Sequence, residues 1–85
     1  MSEVSRAAKT FTPRQGQYLA FIHAYTRLHR RPPAEADMQQ YFRVSAPSVH
    51  QMVLTLELAG FIARQPGVAR SIKMLVDPQH LPTLR

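Results

Sequence analysis

Between Ser45 and Gln51 the chain gathers Ser45, Ser48, His50 and Gln51 around a proline, Pro47. Short, neutral hydrogen-bonding side chains in one cluster suit the reading of base edges in the major groove of duplex DNA. Gln presents a donor and an acceptor side by side, as adenine requires; Ser serves in either role, and His can donate to guanine. A helix starting after Ser45 would add its first-turn amides and the positive end of its dipole, which favour a phosphate. The plainer alternative is a solvated surface. An ordinary exposed helix, however, carries more charge, often in pairs four residues apart, whereas Glu57 is the single formal charge between Ala46 and Ala59.

A second set of residues is basic. From Leu58 to Val76 there is no acid, while Arg64, Arg70 and Lys73 fall inside that stretch. On a hairpin they would grip backbone phosphate beside the groove, a contact that positions a protein without specifying sequence. Lys and Arg also guard exposed edge strands against pairing, which is the competing explanation. Arg14 is a further candidate phosphate contact. Arg27, Arg30 and Arg31 read more simply as a solvated helix end.

The flanking pattern supplies the elements that would position these groups. Thr12-Pro13-Arg14-Gln15 has a capping hydroxyl, a proline suited to the first helical position and a capping-box partner. Tyr18, Leu19, Phe21, Ile22, Tyr25 and Leu28 then recur at helical spacing, which predicts an amphipathic helix of about four turns. Pro32-Pro33 forces an extended break. A short helix follows from Glu35 to about Phe42, with Glu35 and Asp37 complementing its dipole. Arg43-Val44-Ser45 is a three-residue link of the helix-turn-helix kind. Ser45 caps a third helix, Ala46 to Ala59, whose inner face is Val49, Met52, Val53 and Leu56, and Gly60 stops it. Phe61–Gln65 and Arg70–Val76 alternate as strands around Pro66-Gly67.

The predicted fold is therefore α+β, a small winged helix-turn-helix of three helices followed by a two-stranded β-hairpin wing. Residues 1–10 are expected to form a flexible arm, residues 11–76 the domain and residues 77–85 a tail. A chain of 85 residues has room for a single core. Its formal net charge of +6 suits a polyanion, nucleic acid before an acidic membrane surface. The absence of cysteine excludes disulfides, thiol catalysis and thiolate-held zinc. No apolar run reaches the roughly 18 residues that span a bilayer, and Met1–Thr10 lacks the apolar stretch of a secretory signal, so a cytoplasmic protein is expected.

Phe11-Thr12-Pro13-Arg14-Gln15, Pro32-Pro33 with Asp37 and Met38, Ser45 through Leu56, Gly60-Phe61-Ile62, and Gly67 with Arg70-Ser71-Ile72 together give the chain a family likeness. It resembles the N-terminal DNA-binding domain of LexA-type repressors from Phe11 to Leu75. The resemblance implies a winged helix-turn-helix that binds operator DNA as a dimer, with helix three in the major groove. It would assign base contact to Ser45, Pro47, Ser48, His50 and Gln51. The chain departs from the family pattern at Pro47 (asparagine there), at His50 and Gln51 (glutamates) and at Ala34 (threonine), so a different operator is expected. It carries no counterpart of the family's Ser/Lys peptidase domain, so neither self-cleavage nor that route to a dimer is expected. A dimer would have to form through the termini, through helix one, or on the DNA.

The expected function is sequence-specific binding of double-stranded DNA by a transcriptional repressor, with phosphate contacts at Arg14, Arg64, Arg70 and Lys73. A winged-helix protein–protein module that does not touch DNA is the alternative, and an exposed apolar stripe on helix three would favour it. An enzyme is not expected. His23, His29, His50 and His80 lack metal-ligand spacing, and no nucleophile-base-acid set suggests itself. No cofactor, metal, small-molecule ligand or membrane partner is expected.

Overall fold

A computed structural model describes residues 10–85; the expected arm, apart from Thr10, lies outside the described residues. Helix α1 spans Pro13–His29 and opens on the capping box that its sequence encodes. The Gln15 N–H donates to the Thr12 hydroxyl at 3.1 Å, and the Thr12 N–H donates back to the Gln15 side chain at 2.9 Å. Tyr18, Leu19 and Ile22 of α1 are buried, but Leu28 is 77% exposed. The apolar stripe thus ends at Tyr25, one turn earlier than its spacing suggests, because among the described residues no element packs under Leu28.

Helix α2 is Glu35–Phe42. Ala34 has no side-chain oxygen to offer its first turn, so half of the usual reciprocal cap is missing; the other half survives as a 2.8 Å hydrogen bond from the Ala34 N–H to the Asp37 carboxylate. Helix α3, Ala46–Leu58, is capped by the Ser45 hydroxyl, which accepts from the Ser48 N–H. Gly60, at φ +83°, takes the left-handed turn out of α3 that a side chain would resist. Met38 from α2 and Val49, Val53 and Leu56 from α3 close over α1 with Phe61, Ile62 and Ile72.

The wing is shorter than its alternation predicts. Only Ile62–Ala63 (β1) and Lys73–Met74 (β2) pair, antiparallel, with Ile62 opposite Met74 and Ala63 opposite Lys73. Between them Pro66-Gly67 makes a tight turn closed by Val68 N–H to Gln65 C=O at 3.1 Å, with Gly67 at φ +78°, the geometry of a type II turn. Arg70 is also left-handed, at φ +56°. The Ser71 hydroxyl replaces the missing ladder: it accepts from the Gln65 N–H at 2.9 Å and faces the Val68 and Gln65 carbonyls at 2.9 and 3.2 Å.

Residues 77–85, expected as a tail, turn through a short 3₁₀ helix, Pro78–His80, and lie back along α1. The buried Gln17 side chain clamps this strap with both ends of its amide, donating to the Thr83 carbonyl at 2.9 Å and accepting from the Arg85 N–H at 2.8 Å. Gly16 leaves room for the crossing. A Cβ there would stand 3.0 Å from Pro82 and 3.1 Å from the Phe11 ring. Leu81 and Leu84 pack against the core. No described helix is long and apolar enough to cross a membrane.

Candidate nucleic-acid interface

All five residues singled out for base contact are exposed on or just before the first turns of α3, but their polar atoms are not equally free. Ser45 spends its hydroxyl on the cap, accepting from the Ser48 N–H and donating to the Ser48 hydroxyl at 2.9 Å. Ser48 keeps its own proton to donate. His50 turns its Nδ1 to the Glu35 carboxylate, 3.1 and 3.2 Å from the two oxygens. Among the described residues the Gln51 side-chain amide has no hydrogen-bond partner, while its backbone carbonyl accepts from the Thr55 hydroxyl. Pro47 offers a rigid apolar edge. Of the group, Gln51 keeps a free side-chain amide and Ser48 a free hydroxyl proton, while His50 is steered toward α2.

The basic candidates separate in the same way. Arg64 donates from Nε to Glu57 at 2.9 Å, neutralising the one charge on α3. Arg70 reaches from the wing to three acceptors, Asp37 at 3.1 Å, the Tyr25 hydroxyl at 3.1 Å and the Pro32 carbonyl at 3.2 Å. That node ties the wing to α1, to the extended proline segment and to α2 at once. Lys73 projects to solvent from β2. Arg14 lies apart from the wing; it sits over the Tyr18 ring and edges a hollow with Gln17, Tyr41 and Arg85.

Charge and hydrogen bonding at the node reinforce one another. The Asp37 carboxyl is held below the ordinary carboxylate range, first by the Ala34 N–H and then by the Arg70 charge, against the opposing pull of partial burial. The Tyr25 hydroxyl and Asp37 push Arg70 further up. A carboxyl depressed on folding contributes stability that is complete above its unfolded pKa and lost as pH falls through its folded value. Asp37→Asn should therefore be less stable than the wild type at pH 7, and the gap should close on acidification below about pH 4. Urea midpoints measured from pH 7 to pH 2.5 check this; a gap constant across that range would show that Asp37 carries no charge-dependent stability.

A cleft of about 350 Å³ runs between α3 and the wing tip, edged by Glu35, His50, Arg64, Arg70 and Ser71 and floored by Val53 and Ile72. Helix α3, cleft and wing thus form a continuous surface on a helix-turn-helix frame. A family model described as the LexA DNA binding domain matches residues 8–71 of the sequence. The chain belongs to the LexA DNA-binding domain family. It is 34% identical over 71 residues to the LexA repressor of Thermosipho africanus, covering 84% of this chain and 36% of that protein. It is 34% identical over 65 residues to the LexA repressor of Geobacter metallireducens, covering 75% and 32%, and 30% identical over 77 residues to LexA repressor 2 of Geobacter sulfurreducens, covering 89% and 38%. The chain spans about a third of the length of these curated relatives.

The LexA-type frame gives meaning to three contacts that composition and spacing did not reveal. The Arg70 node, the Glu35–His50 pair and the Gln17 clamp each join residues 15 or more positions apart, so no local pattern announces them. A fourth feature, an exposed stripe on α3 with two leucines, was missed although helical spacing carries it. Pro47, Gln51, Leu54 and Leu58 recur at helical spacing and are all exposed, which makes them the outermost stripe of α3.

Proposed function

We propose that this chain binds double-stranded DNA in a sequence-specific way as the DNA-binding part of a transcriptional repressor. The observation that carries the proposal is the outer face of α3, where exposed Ser48 and Gln51 stand on a helix whose single charge, Glu57, is already paired. In this reading α3 from Ala46 to about Leu54 lies in the major groove. Gln51 and Ser48 meet base edges, Pro47 shapes the approach, Ser45 caps the helix, and His50 holds Glu35 away from the phosphates. The sugar-phosphate backbone then lies along the cleft between α3 and the wing. Lys73 is the free phosphate contact, Arg14 a second one at the start of α1, and Arg64 and Arg70 fix the shape of the cleft while adding to its positive potential. Repression is inferred from the relatives, which are named as repressors. Two copies on a palindrome would dimerise on the DNA.

Leu58, 91% exposed, and Leu54, 36% exposed, favour a second reading. An apolar stripe on the last turns of α3 is the feature expected of a protein–protein module. One experiment separates the two. The DNA reading expects micromolar or tighter binding to random duplex at low salt, with log K falling linearly in log salt. Fluorescence anisotropy from about 20 to 300 mM salt measures this, and no binding at the lowest salt would leave only the protein-partner reading.

A further inference from the structure

Leu54 occupies an unusual place. It follows Gln51 by three residues on the outermost meridian of α3, where Pro47, Gln51, Leu54 and Leu58 fall within about 60° of one another round the helix. The inner face is complete without it, with Val49, Val53 and Leu56 fully buried, and Leu54 keeps 36% of its surface exposed. Charge does not explain a leucine there: Glu57, the only ion on the helix, is drawn sideways to Arg64. Along the axis Leu54 stands about 4.5 Å beyond Gln51. When the helix lies along the groove, that advance is close to the ~3.4 Å step between stacked bases. The one apolar group that the major groove offers at a base edge is the thymine C5-methyl.

Resting on the DNA-binding reading above, we propose that Leu54 is a specificity residue that packs on a thymine methyl next to the base pair read by Gln51. An amide followed one turn later by an apolar tip would distinguish thymine from cytosine at the second position. It would do so without a hydrogen bond. Leu58, a further turn along, lies beyond the polar readers and is the control position.

The test uses the full chain and a duplex selected from a random library at low salt. Each thymine is replaced in turn by deoxyuridine, which removes the methyl group and leaves base pairing intact. At a position adjacent to the Gln51-dependent pair, uracil should weaken wild-type binding about fourfold, the equivalent of one methyl group withdrawn from apolar contact. The same replacement should have no effect on Leu54→Ala, and Leu54→Met should retain the penalty. Circular dichroism of each variant confirms that α3 is intact, and Leu54→Gln, polar at its tip, provides a second variant. Uracil acting equally on wild type and Leu54→Ala, or acting nowhere, overturns the assignment. So does a change in sedimentation of Leu54→Lys with no change in the uracil penalty, which would make the stripe a contact between copies. Failure to enrich any duplex would instead remove the DNA reading itself, and this inference with it.

Discussion

Replacing Leu56 with alanine is expected to lower the unfolding free energy by about 2–5 kcal/mol, the usual cost of emptying a well-packed leucine site. Leu56 is fully buried on the inner face of α3, in one cluster with Leu19, Ile22 and Met38. For a chain of this size the whole stability is on the order of 4–13 kcal/mol, so the change removes a large share of it. Leu58, the same residue type two positions later, is 91% exposed. Leu58→Ala should stay within about 0.5 kcal/mol of the wild type, helped by alanine's better helix propensity. Urea denaturation reads both, the Leu56 variant shifting the midpoint without changing the slope. The contrast is also a test of assembly. A large loss at Leu58, growing as protein concentration rises, would mean that the apolar end of α3 is buried between copies.

That pair of leucines illustrates what the sequence could disclose. Helical spacing separates Leu56 from Leu58 before any coordinates, and the caps at Thr12 and Ser45, the stop at Gly60 and the turn at Pro66-Gly67 are all written in local residue choice. These signals were enough for three helices, a hairpin and the position of α3. Strand length was not accessible in the same way. Alternation from Phe61 to Gln65 and from Arg70 to Val76 suggests long strands, but the left-handed backbone at Arg70 and the Ser71 side chain take over the hydrogen bonds near the tip. The strap escaped for a related reason. Nothing around Gln17 or Pro82 signals that an amide will clamp residues 66 and 68 positions away. Among the candidate site residues, type and exposure were legible while engagement was not. His50 and Arg70 look like free contacts until Glu35, Asp37, Tyr25 and the Pro32 carbonyl are brought beside them.

On DNA, three substitutions should separate three roles. Gln51→Ala is expected to relax preference at a single base pair by about 1–3 kcal/mol, roughly 5- to 150-fold, while binding to random duplex hardly changes. Lys73→Ala should weaken binding to every sequence alike and reduce the salt slope by about 0.9, as one phosphate contact is lost. Arg70→Met should behave as neither. Its guanidinium is held by Asp37, Tyr25 and Pro32, so its loss leaves the Asp37 carboxylate short of a partner and unties the wing from α1 and α2. The expected signature is a lower melting temperature with a salt slope close to wild type. Anisotropy titrations at several salt concentrations, on a selected duplex and its single-base variants, give slope and specificity together. A slope reduced by about one in Arg70→Met, with stability intact, would return Arg70 to the phosphate-binding set. Equal loss at every base pair in Gln51→Ala would move the reading of sequence off α3.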